Sequence, residues 1–415
     1  MNLESAKQAE QQLLLQTYDR YPIYFREGKG VTLVDDQGKE YIDFLSGIGV
    51  NALGYGHPAI TKVIAEQAAK MIHVSNLFYT EFQSTLARKL TQLSGLDRAF
   101  FCNSGTEAME CAFKLARLNG SENAKIGGTP RWKVLSMENA FHGRTFGAVS
   151  ATWTEKYRAP FAPLVPGFDF VKFNDVADLH EKFDDSVAAI VIEVIQGEGG
   201  IYFVAPEFLK AARELTAESG AVLIIDEIQS GLGRTGKWFA YQYYDVKPDI
   251  VTLAKPLAAG LPLGCVLIAE KTAAAMHPGL HGTTFGGGPL ACATALKFLE
   301  VIESDGLLAH VNEVGDYFKE KLSALKSAQD CITDVRGRGL MVGLSIDSEE
   351  IAKDAHAAML QRGFLINRTH GTTLRFLPPY IITTAHVDAM VTALGEVLSE
   401  VREKHLLHMA GGQHG

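Results

Sequence analysis

Six short apolar runs, separated from one another by stretches of helical pattern, do most to limit what this chain can become. They are Ala99–Cys102, Lys133–Met137, Val187–Glu193, Ala221–Asp226, Ile250–Leu253 and Cys265–Ala269. Each is too short for a helix and the set is rich in Val and Ile, whereas Ala59–Met71 and Glu81–Leu93 carry helical periodicity. That alternation predicts an α/β fold whose mainly parallel sheet is covered by helices on both faces. In such sheets ligands bind outside the carboxyl ends of the strands.

Around this centre the pattern changes. Residues 3–18 read as a polar helix with a leucine patch at Leu13 to Leu15, followed by short strands at Val31–Asp35 and Tyr41–Phe44. After a helix at Leu290–Ser304 comes a smaller α+β unit, with helices at His310–Leu325, Glu349–Arg362 and Thr384–Val401 and a strand at Leu340–Ile346. The expected division is an N-terminal segment, 1–54, that joins the small domain, a large domain, 55–308, and a C-terminal small domain, 309–415. The last residues, HMAGGQHG, read as a loose tail.

Composition narrows the function classes. The formal charge of −9 argues against nucleic acid or an anionic membrane as partner, since neither attracts a net anion. No segment reaches the ~18 apolar residues of a membrane span and the first residues lack a signal-peptide core, so a cytoplasmic protein is expected. The five cysteines form no CxxC pair and the histidines no HExxH motif; no metal site is expected.

Several local motifs can carry chemistry, and each also has a plain structural reading. Ser104-Gly105-Thr106-Glu107 fits a capping box at a helix start, where free N–H groups also suit a phosphate. Asp226 and Glu227 end a buried apolar run; a carboxylate there either holds a cationic ligand nitrogen or makes an internal ion pair. Lys255 directly follows another run, and a lysine in low dielectric becomes a nucleophile for a carbonyl, although most lysines are simply solvated. His281–Gly288 is a glycine-rich turn with two hydroxyls, Thr283 and Thr284, suited to phosphate or to a structural loop. Arg144 and Arg375 can each fork onto a carboxylate or pair internally. Gly231-Leu-Gly-Arg-Thr-Gly236-Lys237 matches a dinucleotide fingerprint and approaches a P-loop, which raises a nucleotide-binding reading. Trp238 stands where a P-loop needs Ser or Thr, and Glu227 to Ser230 separate the loop from its strand.

The order of these features resembles fold-type I, class III pyridoxal-phosphate aminotransferases. The similarity runs from about Tyr21 to about Ile382 through YPIYFREGKG, GKEYIDFLSGIGVNALGYGHP, HVSNLFYTEFQ, FFCNSGTEA, AFHGRT, IQGEGG, DEIQSGLGRTG, LAKPLAAGLPLG, GLHGTTFGG and LRFLPP. Within the class, GIGVN, SNLFY and HGTTFGG are most similar to the acetylornithine branch. The resemblance implies a seven-stranded, mainly parallel mixed sheet in a large pyridoxal-phosphate domain, with a smaller α+β domain beside it.

It further implies that Lys255 forms the internal aldimine, Asp226 pairs with the pyridinium nitrogen and Gln229 bonds the ring oxygen. Phe141 and Ile228 cover the two ring faces. Ser104, Gly105 and Thr106 hold the phosphate, joined by Thr284 from a neighbouring subunit, which makes a homodimer with composite sites. Arg144 and Thr283 contact an acetylornithine donor, while Arg375 takes the α-carboxylate of glutamate and is masked by Glu198 when that group is absent. The implied reaction transfers the donor's amine to 2-oxoglutarate. Succinylornithine, ornithine, 4-aminobutyrate and a lysine-pathway semialdehyde are the alternative substrates. Val194 in place of a usual proline, Gly288 in place of asparagine, and the proline and alanines after Lys255 depart from the family pattern without touching a cofactor role.

Overall fold

In the computed structural model, which describes residues 2–125 and 130–411, the apolar runs become a central sheet. Its seven strands are β1 (Arg98–Cys102), β2 (Lys133–Met137), β3 (Phe168–Val171), β4 (Val187–Ile192), β5 (Val222–Asp226), β6 (Ile250–Leu253) and β7 (Gly264–Ile268). The spatial order is β1-β7-β6-β5-β4-β2-β3, and β7 alone runs antiparallel to its neighbours. Alternate residues feed two separate cores. Leu135, Ile190, Leu223, Ile225 and Val251 enter one, and Val134, Val191, Ile224, Ile250 and Val266 the other. With both faces buried, the runs read as continuous apolar stretches instead of alternating ones.

Helix Gly105–Lys125 covers the second core with Ala108, Met109, Ala112 and Phe113. Helices Pro206–Ser219 and Pro289–Ser304 cover the first. Toward the C-terminus, strands Ile332–Arg338, Met341–Ile346, Asn367–Thr369 and Thr373–Phe376 form an antiparallel sheet. The N-terminal strands Phe25–Lys29, Thr32–Asp35 and Glu40–Asp43 form a meander whose last member lies parallel to Phe364–Leu365, near the far end of the chain.

Two helix ends and one strand of the central sheet differ most from expectation. The first helix is Leu3–Leu13 and stops short of residue 18: Leu14 is extended, and the Gln16 side chain bonds the carbonyls of Glu10 and Leu14, closing the turn. The closing helix runs Thr384–Gly411, so the first four residues of the expected tail are helical and the rest lie outside the described residues. Strand β3 was not anticipated. Its sequence, FDFV, is short and broken by an exposed Asp169, as its place at the sheet edge allows.

Candidate active site

Three adjacent parallel strands bring the chemistry together. Ile192 of β4 is level with Ile225 of β5, and Asp226 is level with Thr252 of β6. Glu193, Asp226 and Lys255 therefore emerge side by side at the carboxyl ends. They line a small cavity together with Gly105, Thr106, Phe141, His142, Gly143, Glu198, Ile228 and Gln229.

Lys255 opens a single 3₁₀ turn, Lys255–Ala258, with φ +36, a left-handed backbone that a side-chain-bearing residue adopts only under strain. Burial lowers its pKa; Glu198, Asp226 and Glu193 raise it in part and Arg375 lowers it further. Its amine is therefore neutral more often than a surface lysine.

Asp226 is fixed from three sides. His142 Nδ1 lies 2.8 Å from Oδ2, the Ile228 N–H donates to Oδ1 at 3.0 Å, and Thr252 Oγ1 lies 3.3 Å from Oδ1. The far nitrogen of His142, Nε2, is buried without a partner among the described residues. Glu193 accepts the N–H groups of Phe141 (3.0 Å) and Gly197 (3.1 Å), and burial pushes its pKa up to about 7, against the pull of His142. Motif reading missed both His142 and Glu193. The signal for Glu193 is the same as for Asp226, a carboxylate closing a buried strand, whereas His142, inside the AFHGRT segment, has no local partner in the sequence that would mark it.

The helix start at Gly105 forms half of the expected capping box, with the return bond displaced by one residue to Asn103. Ser104 Oγ accepts the Glu107 N–H at 3.3 Å, and the Glu107 carboxylate reaches back to the Asn103 N–H at 2.5 Å. The first-turn N–H groups at Gly105 and Thr106 have no acceptor within the helix, as at any helix start, and both residues line the cavity. A Cβ on Gly105 would collide with Ile228 at 2.8 Å, so glycine is what lets these two elements meet.

The two candidate arginines are in opposite states. Arg375 is 1% exposed. Its Nη1 donates to Glu198 Oε1 (2.6 Å), the Gly197 carbonyl (3.1 Å) and Gln229 Oε1 (3.3 Å), and its Nη2 to Asn367 Oδ1 (2.6 Å). Burial would raise the Glu198 pKa, but Arg375 overcomes it and the net shift is downward, so this carboxylate stays charged. Arg144 is exposed and lies flat on the Tyr157 ring, 3.5 Å from its centroid, while Tyr157 meets Phe141 edge-on at 6.2 Å.

Thr283 and Thr284 do not join this cavity within one chain. They border a second hollow with Phe100, Asn103, Glu107 and Phe285, and Thr283 Oγ1 lies 3.2 Å from Asn103 Nδ2. Beside them Leu77, Phe78, Tyr79 and Phe285 are exposed, tied to the threonine loop by Asn76, which donates to the carbonyls of Thr283 and Gly286. The glycine loop 231–237 has no cavity role: Gly233 packs against Leu308 and Tyr380, Arg234 is buried against the carbonyls of Leu340 and Pro378, and Lys237 bonds the Gln242 carbonyl. Among the described residues no His, Cys, Asp or Glu cluster could hold a metal, and no helix is long and apolar enough to cross a membrane.

A family model, aminotransferase class-III, matches residues 15–398. This chain is a class-III aminotransferase. It is 48% identical to the acetylornithine aminotransferase of Methanocaldococcus jannaschii over 97% of this chain and 100% of that protein. Two solved structures place the family fold beside it. An ornithine aminotransferase from Toxoplasma gondii, with PLP partially occupying its active site, superposes with TM-score 0.92 at 34% identity, covering 97% of this chain and 95% of the other. The acetylornithine aminotransferase of Elizabethkingia anophelis gives TM-score 0.84 at 33% identity, covering 96% and 100%. The mostly parallel seven-stranded sheet flanked by helices is the fold of these relatives.

Proposed function

We propose that this enzyme transfers the amine of N-acetylornithine to 2-oxoglutarate, giving N-acetylglutamate semialdehyde and glutamate, with pyridoxal phosphate bound in the Lys255 cavity. One observation carries the reading: two arginines flank the cavity lining, Arg375 buried behind Glu198 and Gln229 and paired with Glu198, and Arg144 next to Gly143, exposed on a tyrosine. The reaction needs that asymmetry. Acetylornithine presents its carboxylate far from the reacting amine, whereas glutamate presents one beside it, so Arg144 suits the first and Arg375 the second. A buried arginine left unpaired would cost several kcal/mol. Glu198 satisfies it until a substrate carboxylate takes its place.

The donor set fits the cofactor. Asp226 offers a fixed negative charge to the ring nitrogen, Gln229 a polar group to the ring oxygen, and Phe141 and Ile228 apolar surfaces to the two faces. Ser104, Gly105 and Thr106 offer the helix start to the phosphate, with Thr284 of the partner subunit. When bound, pyridoxal phosphate supplies a carbonyl for the amine and a ring that accepts electron density from the substrate carbon. Lys255, with its lowered pKa, takes the proton from that carbon and returns it. His142 holds Asp226 in place, and Glu193 ties the Phe141 loop to the Gly197 loop.

The exposed patch around Phe78, Tyr79 and Phe285 supports a homodimer, since it flanks Thr284, which lines no part of its own chain's cavity. The pairing of the N-terminal meander with Phe364–Leu365 supports the division into 1–54 with the small domain, 55–308 and 309–415.

The test is a panel of acetylornithine, succinylornithine, ornithine and 4-aminobutyrate with 2-oxoglutarate. Acetylornithine should give the highest kcat/KM, Lys255→Ala should abolish turnover, and borohydride should fix a pyridoxyl label on Lys255. Preference for ornithine, the substrate named for the Toxoplasma relative, would overturn the substrate assignment while leaving the cofactor chemistry intact.

A further inference from the structure

Glu198 sits on a hairpin loop closed by the Ile201 N–H on the Gln196 carbonyl at 2.9 Å and anchored by the Gly197 N–H on Glu193, with no such bond at Glu198 itself from within the loop. The loop joins strands Ile195–Gln196 and Tyr202–Phe203 and is Gly197-Glu198-Gly199-Gly200-Ile201. Gly200 has φ +108 and Ile201 φ +63, and a Cβ at Gly199 would lie 2.6 Å from Gln196 Oε1. A segment with three glycines in five residues has more backbone freedom than one orientation of a carboxylate requires.

Besides Arg375, which donates to the Gly197 carbonyl, two residues of the C-terminal sheet restrain it. Thr369 Oγ1 donates to the backbone carbonyl of Glu198 at 2.6 Å and also lies 3.4 Å from its Oε2. Arg336 Nε donates to the carbonyl of Gly200 at 2.8 Å, and its Nη2 meets the same oxygen. Thr369 is buried, and its strand pairs with that of Arg375, Thr369 opposite Thr373 and Asn367 opposite Arg375. One strand thus grips the main chain of Glu198 while its neighbour grips the carboxylate.

We propose that Thr369 is a positioning residue that holds Glu198 on Arg375 and so sets how the enzyme divides its affinity between substrates with and without a carboxylate beside the reacting group. The inference rests on the reading of Glu198 and Arg375 as a gate. A substrate carboxylate reaches Arg375 only by displacing that of Glu198. The hydrogen bond to the Glu198 carbonyl confines the loop to the orientation in which its carboxylate faces the arginine, so the bond opposes displacement. Loss of the hydroxyl frees the loop, favours the open pair and exposes Arg375.

Thr369→Val keeps the shape and removes the donor; Thr369→Ser restores it. In the valine variant, KM for 2-oxoglutarate should fall about fivefold, the factor equivalent to one net hydrogen bond, while kcat/KM for acetylornithine should fall by a similar factor. Glutarate, which carries the carboxylates but cannot react, should bind the resting holoenzyme more tightly by calorimetry. The serine variant should behave as the parent. Glu198→Gln is the control. If Glu198→Gln shifts the two half-reactions in opposite senses but Thr369→Val lowers both together or neither, Thr369 is not the positioning residue and the gate stands. If Glu198→Gln itself leaves the balance unchanged, the gate reading fails and this inference with it.

Discussion

Asp226 and Glu227 are adjacent, both buried, and differently used. Asp226 meets His142, Thr252 and the Ile228 N–H at the cavity, whereas Glu227 accepts the Tyr241 N–H at 2.7 Å and the Ser230 hydroxyl at 2.8 Å. Burial raises Glu227 to about 7 from an ordinary value of 4.5. An acid that holds its proton more tightly in the folded chain weakens folding as pH rises between those two values. Glu227→Gln mimics the protonated form, so its stability relative to the parent should improve from about pH 5 to about pH 8. Thermal melts across that interval check it, and a gap that moved the other way would show Glu227 to be stabilised as the anion. At this scale the sequence was informative where a polar residue closes an apolar run, as at Asp226 and Lys255. It was silent on His142, whose role depends on an acid 84 positions away.

Between residue and domain, the segment Phe141–Thr145 shows how one element is hung from another. Helix Phe146–Ser150 lacks a side-chain cap of its own. Glu110, from helix Gly105–Lys125, supplies one: its Oε1 accepts the Gly147 N–H (2.9 Å), the Ala148 N–H (3.1 Å) and the Thr145 hydroxyl (2.5 Å). Thr106 Oγ1 meanwhile accepts the Arg144 and Thr145 N–H groups. The helix start offered to a phosphate and the loop carrying Phe141 and Arg144 are therefore one construction. Glu110→Ala should cost about 1–3 kcal/mol in denaturant unfolding, the penalty for stranding partly buried donors. It should also raise KM for acetylornithine more than for 2-oxoglutarate, because Arg144 loses its support. Strand positions were largely legible from Val and Ile runs. Thr373–Phe376 does not stand out as a strand, because TLRF alternates polar and apolar residues over too few positions and forms no apolar run.

For the whole molecule, the decisive question is whether each site is built from two chains. Lys255→Ala removes one component of a site, and Thr284→Asp sets a negative charge against the phosphate of the neighbouring one. If Thr284 serves the partner's cavity, a hybrid dimer of the two variants has one doubly damaged site and one intact site. An equal mixture that reassembles at random should then recover about a quarter of native activity from two inactive parents. No recovery on verified hybrids would mean that each chain completes its own site. Phe285→Glu should weaken association, read by sedimentation, through the same exposed patch.

What the sequence determined by itself was local: the layered α/β architecture, the strand ends at Asp226 and Lys255, the cap at Ser104 and the failure of the 231–237 loop as a nucleotide site. These follow from apolar periodicity and from neighbours within a few residues. Tertiary structure decided which charges are satisfied. Arg375 and Arg144 looked equivalent as isolated arginines. Folding buries the first against Glu198, 177 positions away, and leaves the second on Tyr157. Burial and pairing depend on distances that exist only after the strands have assembled, and they turn two similar residues into two different carboxylate sites.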